Sequence, residues 1–306
     1  MHGRRRADRT VRLPERARLL QLMRPMRSLA CIFVLLVGCG SGPTGTPDGG
    51  AIQDGSVLDH ATSPDGDANT VIDSASDASV PTGLIVPLYT YPTDGTWTAI
   101  IQAKTAHPTV PIVAVINPNS GPGTSKSTDY ATGITNLQGA GVTVIGYVPT
   151  GYGIASYSPL PNVEKQIDDY VTWYPTIEGI FFDEMSGDAG EASYYQSLAT
   201  YVGAKGASKI TVGNPGANVP DALLGIFTNL VIYESGGMPT ASKIDAYYSK
   251  HGSQPFSFIA YGVASLPSLQ SLSTYVRWLY VTDLDGSNPY GALPSYFAAE
   301  VAALGP

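Results

Sequence analysis

Ile180-Phe181-Phe182 runs straight into two adjacent acids, Asp183 and Glu184, and Val231-Ile232-Tyr233 runs into a third, Glu234. Acids at the end of an apolar run are costly to bury unless they open onto a polar cavity. Side chains alternate along a strand, so Asp183 and Glu184 share one cavity only if the strand ends between them. One of the two then does chemistry while the other orients or binds. Carboxylates on separate elements suit glycoside hydrolysis, in which one protonates the leaving oxygen and the other attacks or activates water. The plainer alternatives are a helix-capping acid for one member of the pair, with Ser186 and Asp188 as rival caps, and a surface-loop acid for Glu234.

The elements that must position these acids repeat one unit from residue 84 onward: an apolar β-branched run, a turn rich in Gly, Asn, Pro or Asp, then a segment with helical spacing. The pattern predicts strands at 84–91, 111–118, 143–149, 178–183, 209–214, 230–234, 256–261 and 278–283. It predicts helices at 97–106, 129–140, 163–173, 192–204, 220–227, 241–251, 269–276 and 294–304. Strict alternation implies parallel strands joined by right-handed crossovers, and eight units in this length match a single (β/α)8 barrel of the TIM type. A doubly wound open sheet is the rival. No Gly-rich phosphate loop follows the first strand, however, and Pro122 between Gly121 and Gly123 removes an amide that such a loop would use.

In such a barrel the active site lies at the C-terminal ends of the strands. Those ends offer Tyr89 and Tyr91, Asn117 and Asn119, Tyr147, Asp183 and Glu184, Asn214, Tyr233 and Glu234, Tyr261, and Asp283 and Asp285. The four histidines are His2, His60, His107 and His251, none at a strand end. That leaves no His-based metal site, no Ser-His-Asp triad and no imidazole acid/base; no strand ends on Lys either, so Schiff-base chemistry is not expected. No metal or cofactor is called for. What remains is carboxylates for catalysis, with tyrosine rings and amides to bind sugar faces and hydroxyls. Asp283 and Asp285 could instead ligate a cation or shape a plain turn, and each tyrosine could be ordinary core or rim.

The first 80 residues read differently. Residues 1–30 hold nine Arg and two acids, and the apolar run from Leu29 to Gly38 ends at Cys39. A basic stretch, a short apolar run and a small-residue end make a secretory signal, too short to cross a bilayer as a helix. Leu36-Val37-Gly38-Cys39 resembles a bacterial lipobox, so 1–39 is expected to be a lipoprotein signal with Cys39 acylated. The alternative is an ordinary signal with a chance Cys. Met23 and Met26 are candidate translation starts, and Gly40 after Cys39, in place of Asp, favours export to an outer membrane in a cell that has one. Residues 40–80, with seven Asp and no Lys or Arg, are expected to be a disordered, self-repelling tether; their aspartates lack EF-hand spacing. Residues 81–306, the expected barrel catalytic domain, carry eight Lys/Arg against sixteen Asp/Glu. This balance argues against nucleic acid or an anionic membrane surface as partner, other than contact through the lipid anchor, and suits a neutral or cationic substrate. Both cysteines, Cys31 and Cys39, fall in the signal, so the barrel has no disulfide or thiol nucleophile.

Gly83 to Tyr91, Asn117-Pro118-Asn119-Ser120-Gly121-Pro122-Gly123, Gly146-Tyr147-Val148-Pro149-Thr150 and Gly179 to Glu184 together resemble the spherulin 4 (spherulation-specific) family over essentially 83–304. The resemblance implies a β/α-barrel glycoside hydrolase that cuts α-1,4-linked galactosamine or N-acetylgalactosamine polymers of microbial biofilm matrix. Endo action and a monomer are expected beside it, with exo action the alternative. It implies that Asp183, Glu184 and Glu234 are the family's key acids. Many members carry a basic residue near 154–156, where this chain reads Ile154-Ala155-Ser156. The mechanism expected is retaining, with Asp183 as nucleophile, Glu234 as general acid/base and Glu184 as their helper. The competing readings are a non-catalytic glycan-binding barrel and a hydrolase of another glycan linkage.

Overall fold

The computed structural model describes residues 81–305 other than 207, 252–254 and 274. The expected signal, the acidic tether and Cys39 lie outside the described residues.

Eight parallel strands close on themselves in chain order: β1 (Gly83–Leu88), β2 (Ile112–Ile116), β3 (Thr143–Pro149), β4 (Gly179–Asp183), β5 (Ile210–Gly213), β6 (Asn229–Gly236), β7 (Phe256–Tyr261) and β8 (Trp278–Val281). The barrel is sealed where Gly83 and Leu84 pair with Trp278 and Leu279. β1 and β2 are buried at every position. One face of each strand fills the lumen and the other meets the helices, so the sequence is continuously apolar instead of alternating.

Seven helices of four residues or more surround the strands among the described residues: α1 (Gly95–Ala106), α2 (Thr128–Gly139), α3 (Leu160–Trp173), α4 (Ala192–Ala204), α5 (Ala241–His251), α6 (Gln270–Ser273) and α7 (Phe297–Ala303). The helix expected at 220–227 does not form. Its place holds one 3₁₀ turn, Asp221–Leu223, after which Leu224 is extended and Gly225 turns left-handed at φ 74°. That conformation suits Gly and ends any helix there. Phe227 still supplies packing at this position, stacked on Phe182 at 4.9 Å and edge-on to Tyr195 at 6.0 Å. The helix expected at 269–276 is likewise a single turn, Gln270–Ser273.

Two local features aim the strand ends. A Cβ at Gly146 would lie 2.8 Å from the ring of buried Tyr170, so β3 can sit tight against α3 only with glycine next to Tyr147. In β6, Val231 pairs with Ser257 while Tyr233 pairs with Phe258, leaving Ile232 as an inserted residue. Such a bulge moves every later side chain one place relative to its neighbour strand. The next residue but one is Glu234.

Candidate active site

β4 ends at Asp183, and Glu184 follows in the left-handed region at φ 53°. The strand thus ends between the two acids, which is the condition for both to reach one cavity. A left-handed conformation costs a non-glycine residue about 1–2 kcal/mol, and the β3 loop holds it in place. The buried Thr150 hydroxyl is shared between the carbonyls of Asp183 (2.8 Å) and Glu184 (2.9 Å). The amides of Thr150 and Tyr152 donate to the same two carbonyls at 3.0 and 2.7 Å.

One amide joins the strand-four and strand-six acids. Asn214, buried just past the end of β5, donates from Nδ2 to Asp183 Oδ1 at 2.8 Å and to Glu234 Oε2 at 2.5 Å. Two oxygens held at those distances from one nitrogen lie no more than about 5.3 Å apart, the two lengths laid end to end. Each carboxyl has a tyrosine on its other oxygen. Tyr147 donates to Asp183 Oδ2 at 2.8 Å and Tyr290 donates to Glu234 Oε1 at 2.5 Å. Tyr89 stands between the two phenols, edge-on to Tyr147 and to Tyr290 at 5.6 Å each.

Burial raises the pKa of all three acids. For Asp183 the donors Tyr147 and Asn214 work against it. Glu234 is raised by burial first and then by the charge of Asp183. Glu184 is also raised by burial and by Asp183, with the Gly151 amide pulling the other way. The pair therefore holds a proton more readily than free carboxylates do, and Glu234 is where Asp183's charge keeps it. Burial and the nearby carboxylates push the hydroxyls of Tyr89, Tyr147 and Tyr290 upward, so these phenols stay neutral donors. No group of three or more His, Cys, Asp or Glu among the described residues is arranged to hold a metal ion.

The sequence profile of spherulation-specific family 4 matches residues 83–304, from the first strand of the barrel to the last helix. The chain belongs to this family. Spherulin-4 of Physarum polycephalum is 34% identical over 255 residues, covering 77% of this chain and 74% of its own. Among solved structures, Aspergillus clavatus Sph3, crystallised in complex with GalNAc, shares the fold at a TM-score of 0.63 and 23% identity, covering 74% of this chain and 98% of Sph3. The O-GlcNAc hydrolase of Thermobaculum terrenum aligns at a TM-score of 0.50 and 12% identity, over 72% of this chain and 59% of its own.

Of the site residues expected from sequence, this family 4 barrel brings together Asp183, Glu184, Glu234, Asn214, Tyr147 and Tyr89. Tyr261 ends β7 with its ring beside Gly236 of β6. Others turn elsewhere. Tyr233 precedes Glu234 on the strand, so alternation sends it outward, where its hydroxyl donates to the carbonyls of Gly236 and Gly237 and Lys243 lies over its ring. Tyr91 donates to Asp129 at 2.6 Å and packs edge-on to Tyr130. Asn117 accepts from the amide of Gly121 to shape its own loop, and Asn119 is exposed on that loop. Asp283 accepts from the amide and hydroxyl of Ser295, which hold its carboxyl below the usual range. Asp285 accepts from the amide of Gly286, a turn contact. The residue that sequence reasoning missed is Tyr290. It comes from the loop after β8, where the Asn288 side chain accepts from the Tyr290 amide.

Because the Asp183 charge raises Glu234, Asp183→Asn is expected to lower the Glu234 pKa. Carboxyl-detected NMR titration of the variant reads the direction; an unchanged or higher value contradicts the pairing.

Proposed function

We propose that this barrel is an endo-acting, retaining glycoside hydrolase of α-1,4-linked galactosamine or N-acetylgalactosamine polymers. The observation that carries the reading is the Asn214 amide spanning Asp183 and Glu234. Retaining enzymes hold their carboxyls at roughly 5–5.5 Å and inverting ones at roughly 6.5–9.5 Å; the bridged oxygens here lie no more than about 5.3 Å apart, short of the inverting range.

In the first step Asp183 attacks the anomeric carbon while Glu234 gives its proton to the leaving glycosidic oxygen. The bond to that oxygen breaks and a glycosyl ester forms on Asp183. Esterification removes the Asp183 charge, which lowers the Glu234 pKa and readies its carboxylate as a base. Glu234 then takes a proton from water, the water oxygen attacks the anomeric carbon, and the ester bond to Asp183 breaks. Tyr147 and Asn214 hold the attacking carboxylate in line, and Tyr290 orients Glu234. Glu184, twisted out of the strand beside Asp183, positions substrate and keeps the local charge negative.

The choice of sugar rests on family membership, on the GalNAc held by Sph3, and on the acidic balance of residues 81–306, which suits a neutral or amine-bearing chain. In an α-linked 2-acetamido sugar the acetamido group is cis to the leaving group and cannot attack from behind, so a protein carboxylate is required.

Asp183→Asn and Glu234→Gln should each cut turnover at least about a hundredfold with the thermal unfolding midpoint preserved. The assay is release of reducing ends from α-1,4-galactosaminan, its N-acetylated form and other glycans, with the first-formed anomer followed by NMR. Retention is expected; an inverted product overturns the nucleophile assignment. Glycan binding without new reducing ends would make this a binding protein, and ends released only from another glycan would move the linkage. Export with a lipid on Cys39 belongs to the same proposal and rests on the basic, apolar and Cys39 arrangement. Cys39→Ala should release the protein from the membrane fraction of expressing cells; continued membrane association would refute the anchor.

A further inference from the structure

Four large hydrophobic side chains are strongly exposed among the described residues, and three of them, Tyr152, Ile154 and Tyr157, fall within one short loop between β3 and α3. Isolated exposed apolar residues need no explanation, but three together beside a polar site do. The loop is held in shape. Gly151, Tyr152 and Gly153 are successive left-handed residues at φ 55°, 59° and 74°. At Gly151 a Cβ would meet the Tyr157 ring at 2.3 Å, so that ring lies directly over the Gly151 backbone. The amides of Tyr157 and Ser158 both donate to the Ile154 carbonyl at 2.8 Å, and buried Tyr194 donates to the Ser158 carbonyl at 2.8 Å.

This loop is bolted to the acids. The Tyr152 amide donates to the Glu184 carbonyl at 2.7 Å, and Thr150, one residue before the loop, ties down Asp183 and Glu184. Burial first, then the charges of Glu184, Asp183 and Glu234 raise the Tyr152 hydroxyl, and the Tyr157 hydroxyl acts on it as well. Through Thr150, Tyr152 and the Tyr157 ring over Gly151, the loop lies beside Asp183 and Glu184. Tyr152 carries a left-handed backbone without glycine's freedom while its side chain stays half exposed, which is strain of the kind found at functional sites.

We infer that Tyr152, Ile154 and Tyr157 form a preorganised apolar shelf on which sugar rings of the substrate stack beyond the point of cleavage. The inference rests on the glycoside hydrolase reading for its ligand class. Pyranose rings present flat apolar faces edged by hydroxyls. Aromatic faces bury such surfaces at little entropic cost when they are already fixed, and the phenol edges remain free to donate to hydroxyls. A shelf to one side of the acids binds sugars on one flank of the scissile bond, which favours cutting within a chain over trimming its end.

Affinity electrophoresis through gels containing soluble α-1,4-galactosaminan tests the shelf without turnover. The full chain carrying Asp183→Asn is compared with the same chain also carrying Tyr152→Ala and Tyr157→Ala. The parent should be retarded, and the paired alanines should weaken the apparent affinity about tenfold, as the loss of two stacking faces implies. Tyr157→Phe, which keeps the ring, should restore most of Tyr157's share. Thermal unfolding of each variant controls for folding, and exposed residues leave it little changed. Equal retardation with and without the two rings overturns the shelf, as does a parent that is not retarded. Retardation that follows the rings while the Asp183 chain releases no reducing ends keeps the shelf and refutes the hydrolase. Reducing ends with ring-independent retardation do the reverse. A shelf that binds another protein in place of glycan would show no ring-dependent retardation at all.

Discussion

One buried amide has to satisfy two carboxyls at once, and much of the barrel mouth is arranged around that demand. Asn214 follows β5, between the acids of β4 and β6. Adjacent strands lie about 4.8 Å apart, so acids on strands two places apart cannot meet unless their side chains lean inward. The Asn214 side chain fills the gap and gives each of them a donor. Asn214 is itself fixed by the strand ladder, with its amide donating to the Phe182 carbonyl at 2.8 Å and its carbonyl accepting from Met185 at 3.1 Å. Closure of the barrel thus sets the spacing of the carboxyls, and the amide between them keeps it.

Electrostatics follow from that geometry. Two carboxyls this close, taken partly out of water, repel if both are ionised, so one proton stays with the pair. Each acid oxygen facing Tyr147, Tyr290 or Asn214 receives a donor, which offsets much of the cost of burial. The phenols are raised by the same environment that raises the acids, and therefore serve as donors and not as competing bases. Glu184 adds a third carboxyl at the strained turn after β4, raised by burial and by Asp183.

Much of this was legible in the sequence because a parallel barrel obeys a simple rule: strand ends carry the site. Asp183, Glu234, Asn214 and Tyr147 all follow from it. Tyr233 shows the rule misapplied, since a residue next to Glu234 on one strand has to face the other way. Asp283 and Tyr91 sit at or past strand ends but are satisfied locally by Ser295 and Asp129, contacts that depend on loop paths no periodicity encodes. Tyr290 was hidden for the same reason, reaching Glu234 from a loop well beyond β8. The helix expected at 220–227 failed on one backbone angle at Gly225, while its apolar residues kept their place in the core through Phe227.

The account stands on Asp183 being the group that bonds to the sugar. Mass spectrometry of Glu234→Gln, incubated with an activated α-glycosyl fluoride of the amino-sugar oligomer, reads this most directly. The fluoride leaves without needing an acid, and the missing base slows release of the ester. One glycosyl adduct should accumulate on the peptide that contains Asp183 and vanish when Asp183→Asn is added. An adduct on another residue, or fluoride released with an inverted sugar and no adduct, would contradict the account.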